Sequence, residues 1–265
     1  MTLMISPLAA FADNYIWLLA RGRDAVVVDP GDAAPVRQAL TERGLRLAAI
    51  LVTHHHADHV GGVAALAAEH AAPVYGPVAE ARGIPKLTHP LADGDRVELP
   101  AIGVAFDVWS VPGHTLGHIA YVSADHGLLF CGDTLFSAGC GRLFEGTPAQ
   151  MHASLSRLAA LPGSTAVYCT HEYTLSNLAF AGAVEPGNAA VRADAERVRA
   201  LRARGAPSLP SRIAHELAVN PFLRWDAAEV RAAAHAHAGH ELREPVDVFA
   251  ELRAWKDGFR APAAP

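Results

Sequence analysis

The 265-residue sequence predicts an α/β protein: two β-sheets with helices packed outside them, followed by a helical C-terminal part. Three observations predict it. Short apolar runs bounded by Gly, Pro and Asp outnumber helical patterns up to about residue 145, and the helical patterns are interspersed among them. After residue 172 the texture changes to Ala, Arg, Glu and Leu, in helix-length segments cut by Pro or Gly. The chain is 51% hydrophobic and 18% charged, which supplies a large core for one big domain or one domain with an appendage.

Residues 16–20 and 25–29 (AVVVD) read as consecutive strands joined by the turn Arg21-Gly22-Arg23-Asp24. Pro30-Gly31-Asp32 breaks the sheet, and residues 34–43 carry a helical pattern. The apolar run 47–53 (LAAILVT) marks a buried strand, followed by a helix to about residue 70. Shorter β-like pieces lie at Val74-Tyr75, 96–99, 104–109, 121–123, 128–131 and 166–170. Beyond residue 174, Glu185-Pro186-Gly187-Asn188, Gly205-Ala206-Pro207 and Asn220-Pro221 punctuate the helices. Asp226-Ala227-Ala228-Glu229 has the spacing of an N-cap with Glu at N3, and Val248, Leu252, Trp255 and Phe259 give the last helix a core-facing stripe.

The net charge of −5 gives no general attraction for nucleic acid or an anionic membrane. No apolar run reaches the ~18 residues of a spanning helix. Leu8-Ala9-Ala10-Phe11-Ala12 has the small residues of a signal-cleavage region but neither a basic segment nor an apolar core ahead of it, so no secretory signal is expected. Cys131, Cys140 and Cys169 are odd in number and form no CxxC pair, which argues against a disulfide framework and for a reducing cytoplasm.

Directly after the buried strand comes His54-His55-His56-Ala57-Asp58-His59, an H-x-H-x-D-H run. Side chains alternate along an extended segment, so His54 and His56 point one way and His55 the other. Gly61-Gly62 and the apolar stretch 63–69 place Asp58 and His59 where strand gives way to helix. A polar loop would account for any one of these histidines; four ligand types with two separate aims suit two metal ions. Three more strand ends carry a metal-competent side chain: His114, between Gly113 and Gly117, Asp133 after 128–132, and His171 after 166–170. Collected by aim, His54, His56 and His114 could hold one ion and Asp58, His59 and His171 the other, with Asp133 bridging; Asp58 and Asp133 are the candidate catalytic residues.

The stretches THHHADH, GHTLGH, CGDTLF and THEYT, in this order and spacing, resemble the metallo-β-lactamase superfamily and, more narrowly, the hydroxyacylglutathione hydrolases (glyoxalase II). Asp13-Asn14-Tyr15, residues 139–147 (GCGRLFEGT), Glu185-Pro186-Gly187-Asn188, Asn220-Pro221-Phe222, Arg253 and Lys256 extend the resemblance over nearly the whole chain. The resemblance implies an αββα sandwich over residues 1–172 with the metals at one edge, and a helical substrate-binding domain over 173–265. It implies two divalent metal ions per chain, with zinc expected and iron or manganese suiting the same imidazole and carboxylate donors. It assigns glutathione contacts to Arg142, Phe144, Tyr173, Arg253 and Lys256. Phe144 stands where many relatives carry Tyr, so one phenolic hydrogen bond is missing. Arg253 and Lys256, at i and i+3, are placed to point the same way. His118 is expected to support a metal-bound imidazole, His55 to face away from the ions, and His235, His237 and His240 to face solvent. A monomer acting on a small glutathione thioester is expected, with no nucleic-acid or membrane partner.

Two divalent ions ~3.5–4 Å apart bring a shared water near a neutral pKa, so a nucleophile needs neither serine nor cysteine. The sequence agrees: it has no G-x-S-x-G elbow and no cysteine with a histidine beside it. A thiol, with a pKa of about 8.5, departs without a strong general acid, so a thioester suits the site better than an amide. The expected reaction is hydrolysis of S-D-lactoylglutathione to D-lactate and glutathione, the detoxification step for methylglyoxal. The alternatives are a mononuclear iron persulfide dioxygenase or another glutathione-thioester hydrolase on the same fold. A β-lactamase fits less well, because Asp133 stands where such enzymes often carry Cys. Nucleic-acid processing suits the acidic balance poorly, and a non-catalytic metal-binding module would need these donors without chemistry.

Overall fold

A computed structural model of the chain describes residues 1–260. Strands β1 (Met4–Ala10), β2 (Asn14–Arg21) and β3 (Asp24–Val28) run antiparallel. Strands β4 (Arg46–Leu51), β5 (Val74–Pro77) and β6 (His89–Leu91) then add in parallel, completing a six-stranded sheet. The second sheet holds β7 (Arg96–Leu99), β8 (Val104–Ser110), β9 (Ile119–Ser123) and β10 (Leu128–Gly132) as an antiparallel meander. A ribbon of β11 (Leu135–Phe136) and β12 (Gly139–Cys140) intervenes before β13 (Ala166–Cys169) joins β10 in parallel and β14 (Ser211–Arg212) closes the edge.

Alternation along the strands builds the layers. In β2, Trp17 and Leu19 enter the core between the sheets; Ile16 and Leu18 enter a second core. That second core lies under α1 (Ala33–Arg43) and α3 (Val63–His70), which flank the single turn α2 (Ala57–Val60). Strands buried on both faces read as continuous apolar runs, which is why AVVV and LAAIL stand out in the sequence. Helix α4 (Pro148–Ala159) buries Met151, Leu155 and Leu158 against the main core. It has no counterpart in the sequence reading, although Thr147 and Gln150 spell a capping box at its start. Strand β1 is likewise unread: it is an edge strand interrupted by Pro7, a residue that edges tolerate and that hides the pattern.

The C-terminal part holds α5 (Thr174–Val184), α6 (Ala189–Ala203), α7 (Ile213–Val219), α8 (Ala228–Ala238) and α9 (Pro245–Gly258). Val248 and Leu252 of α9 are fully buried, with Trp255 and the C-cap Phe259 packed beside them, as the stripe predicts. Two local expectations are corrected. Ala227, not Asp226, is the N-cap of α8, and no side chain caps it. Glu229 turns instead to accept the Gly187 N–H (2.8 Å), a tertiary bond that takes it from the local box. His235 is half-buried and donates to the Leu242 carbonyl (3.1 Å) rather than facing solvent. No helix of the described residues is long and apolar enough to cross a membrane.

The sheets are stitched together at one edge. Trp17 donates to the Cys169 carbonyl (3.0 Å), Tyr15 N to Thr170 O (2.7 Å), Ile119 N to Thr53 O (3.0 Å), and the Tyr121 hydroxyl to Val52 O (2.9 Å). Each such bond contributes about 1 kcal/mol, but their larger effect is to hold the ends of β4 and β13 in register at that edge.

Candidate metal centre and substrate cavity

At the end of β4, the buried Asp29 carboxylate accepts Thr53 N and Thr53 Oγ1, both at 2.7 Å. This anchors the loop that follows. His54 Nδ1–H donates to Thr53 Oγ1 (3.1 Å), His59 Nδ1–H to Asp29 (3.0 Å), His114 Nδ1–H to Arg142 O (2.9 Å) and His171 Nδ1–H to Asp13 (2.8 Å). With Nδ1 engaged, each of these four rings turns Nε2 toward a common space. His56 presents Nδ1 instead, 3.0 Å from His114 Nε2.

Asp133 lies between both sets. Its carboxylate is 3.5 Å from His114 Nε2, 3.4 Å from His59 Nε2 and 3.3 Å from His171 Nε2. Asp58 Oδ2 is 3.6 Å from His59 Nε2 and 3.4 Å from His171 Nε2, and accepts Asn14 Nδ2 at 3.0 Å. Gly132 makes this approach possible. At φ +47° it packs so closely that a Cβ would stand 2.3 Å from Thr53 Oγ1.

The donor set fits divalent cations. Three combinations, His54/His56/His114, His54/His59/Asp133 and Asp58/His59/His171, each bring their donor atoms within 4.8 Å of one another. Donor separations of 3.0–3.6 Å match the ~3.3 Å edge of a tetrahedron around an ion with bonds of ~2.0–2.1 Å. His54 Nε2, His59 Nε2 and Asp133 Oδ1 are buried without a well-formed hydrogen bond. Such orphans cost about 1–3 kcal/mol each, so three in one place mark a space for a cation. Burial pushes His54 well down and lowers His56 and His114, keeping them as neutral imidazoles, the form that ligates. Burial also works to lower His59 and His171, but the Asp133 carboxylate and its neighbours outweigh it and carry them to about 10 and about 11. Asp58 is held below the usual carboxylate range, chiefly by His171; Asp133 falls well below it because His59 and His171 overcome its burial. A divalent cation would displace the protons that these carboxylates hold on the two rings.

His118 is fully buried, stacks on His54 (4.5 Å, 20°) and accepts Asp133 N at 3.2 Å, so it supports both halves. His55 faces away, toward Glu80. That carboxylate also accepts His55 N (2.6 Å), Thr115 Oγ1 (2.5 Å) and Gly117 N (3.0 Å), tying the His54–His59 loop to the His114 loop. Asp29 and Glu80 are functional residues that the sequence reading misses. An Asp closing an apolar strand directly before Pro30-Gly31 is the one local signal for the first, and the structure holds it at φ +52°.

The five expected substrate contacts come together with His114 and Asp133 around one cavity of about 460 Å³. The Phe144 ring lies edge-on to His56 (5.6 Å) and His114 (5.3 Å), while Tyr173 stacks on His171 (4.7 Å, 2°). Arg142 is exposed, with Nε 3.7 Å from Asp257. Arg253 and Lys256 both reach the cavity but are anchored apart. Arg253 is 5% exposed and donates to Cys140 O and Asp257 (both 2.9 Å); Lys256 Nζ donates to Ser176 O (3.0 Å) and Oγ (3.1 Å). Burial, then the Arg253 charge, lower the Lys256 ammonium to about 8.

Residues 11–171 match the model of the metallo-β-lactamase superfamily, and residues 172–259 that of the hydroxyacylglutathione hydrolase C-terminus. The chain is 59% identical to a hydroxyacylglutathione hydrolase of Pseudomonas aeruginosa and 56% identical to one of Cupriavidus taiwanensis. Each alignment covers 97% of this chain and 100% of the relative. Among solved structures, ETHE1 from Myxococcus xanthus superposes with a TM-score of 0.64 at 25% identity, covering 99% of this chain and 93% of that one. TTHA1623 in a di-iron-bound form superposes with a TM-score of 0.60 at 28% identity, covering 82% and 100%.

Proposed function

The chain belongs to the hydroxyacylglutathione hydrolase family of the metallo-β-lactamase superfamily and is a thioester hydrolase; from that premise we propose that it converts S-D-lactoylglutathione and water to D-lactate and glutathione at a paired metal centre. His54, His56 and His114 would hold one divalent ion, Asp58, His59 and His171 the other, and Asp133 would serve both. The observation that carries this reading is the meeting of the two donor sets at one end of a cation-lined cavity. Zinc is the first expectation; the relative with two irons supports iron as well.

When bound, such a pair acidifies water and polarises a carbonyl. The chain's own residues account for the remaining work. Asp58, ionised and the more exposed of the two carboxylates, would hold the second ion through Oδ2, leaving its other oxygen to orient the attacking water. Arg142 and Lys256 would face the carboxylates of glutathione, while Phe144 and Tyr173 wall the donors on either side. The thiolate departs without a general acid. The working division is residues 1–172 for the ions and 173–265 for substrate, with 261–265 lying outside the described residues. Three free, buried cysteines suit a reducing compartment, and a monomer is sufficient for the site.

The test is a panel of glutathione thioesters assayed alongside metal analysis of the same preparation. Turnover is expected to track metal content, lost on chelation and restored on reconstitution. Near-normal turnover by metal-depleted protein would end the reading. A pH dependence belongs to Lys256. Its ammonium is present below about 8 and lost above, so KM for glutathione thioesters should rise as pH passes that value. Lys256→Met should raise KM about tenfold at pH 7 and flatten that rise, in line with a charged hydrogen bond. An unchanged KM–pH curve in the variant would assign the rise to another group.

A further inference from the structure

The ribbon β11–β12 connects two parts of the centre. It begins after Asp133 and ends before Arg142, whose carbonyl holds His114 Nδ1. At its base, Gly141 N donates to Thr134 O (3.2 Å), and a Cβ on Gly141 would stand 1.9 Å from the Asp133 carbonyl. Its Phe136 ring meets His171 (5.8 Å) and Tyr173 (5.4 Å). Whatever holds the ribbon therefore places Asp133, His114 and one wall of the cavity together.

The tip is held largely by the helical part. Ala138, fully buried at φ +54°, is packed among Leu178, Ala181, Val191, Val198 and Val219. Asn220 Nδ2 donates to Gly139 O (2.9 Å) and Phe136 O (3.2 Å), and Asn177 Nδ2 to Ser137 O (3.0 Å). Glu216, with no exposed surface, accepts Ala138 N (2.8 Å) and Asn220 Nδ2 (3.0 Å) on one oxygen and the Ser211 hydroxyl on the other. A carboxyl group buried at such cost, with every bond directed at one turn and its partners, is more than the docking of α7 requires.

We propose that Glu216, acting through Asn220 and the tip of the ribbon, is a positioning residue for the metal centre, so that the helical part sets the geometry of the donors as well as binding substrate. The role rests on the paired-metal reading, and it is tested by metal affinity, which stands whether or not the substrate is identified correctly. Glu216→Gln keeps an acceptor for Ala138 N and Asn220 and an amide for the Ser211 oxygen, so affinity and kcat should stay within about threefold of the parent. Glu216→Leu should lower metal affinity, read by chelator competition on folded protein, and kcat by about 10–100-fold, the usual cost of an outer support. Asn177→Ala, which frees only Ser137 O, covers the case in which the Leu variant does not fold and should give a several-fold loss. A fall in Tm with metal affinity and kcat per folded molecule unchanged in the Leu variant, or in the Asn177 variant where the Leu one does not fold, overturns the proposal; so does a Gln variant as impaired as the Leu one.

Discussion

Asp133→Ala is expected to lower kcat/KM for glutathione thioesters by at least about 10³-fold, the loss of several kcal/mol of transition-state stabilisation. Its carboxylate is within 3.5 Å of an imidazole nitrogen on three separate rings, which no other carboxylate in the described site matches. Removing it takes away the carboxylate that lies between the two donor sets and the negative charge that favours a cation beside His59 and His171. Stability of the metal-free protein should fall, because the buried His59 and His171 charges lose the carboxylate that holds them. Asp133→Asn keeps the shape and removes the charge, so it should fall with the alanine variant rather than with the parent. Metal per chain and kcat/KM are measured together; parental turnover in either variant would remove Asp133 from the centre.

Asp29→Ala should produce the second largest effect, on both stability and metal binding. The carboxylate accepts from Thr53 twice and His59 once, with Thr170 Oγ1 at 3.5 Å, so it joins the chain after β3 to the ends of β4 and β13. Its loss strands Thr53 N and frees the His59 ring, for about 3 kcal/mol of destabilisation and a 10–100-fold loss of metal affinity. Asn tolerates φ +52° about as well as Asp, so Asp29→Asn separates backbone strain from lost acceptors. Chemical denaturation and chelator competition read the two effects. A variant that is destabilised yet binds metal at parental strength would reduce Asp29 to a structural role.

How much could be read from the chain follows the range of the forces involved. The H-x-H-x-D-H run is legible because strand alternation sends His54 and His56 one way and His55 the other, and the structure places His55 on Glu80. The stripe on α9 is legible for the same reason, at the helical period. Strand β1 is not, since Pro7 breaks its pattern and only the pairing with β2 reveals it. The cap of α8 is misread because Glu229 finds a partner 42 residues away.

Composition and local spacing alone determined the donor types, the strand ends expected to carry them, the α/β class with two sheets and outer helices, and the helical close of the chain, because these depend on covalent geometry and on which residues avoid water. Packing of the sheets and the C-terminal helices decided the rest: that Asp13 orients His171 across 158 residues, that Asp29 orients His59, and that Arg253 is spent on Cys140 and Asp257 while Lys256 is anchored on Ser176. Hydrogen bonds reach only about 3 Å and fall off steeply with angle, so their partners are fixed by where the sheets and helices come to rest, and no spacing along the chain encodes that.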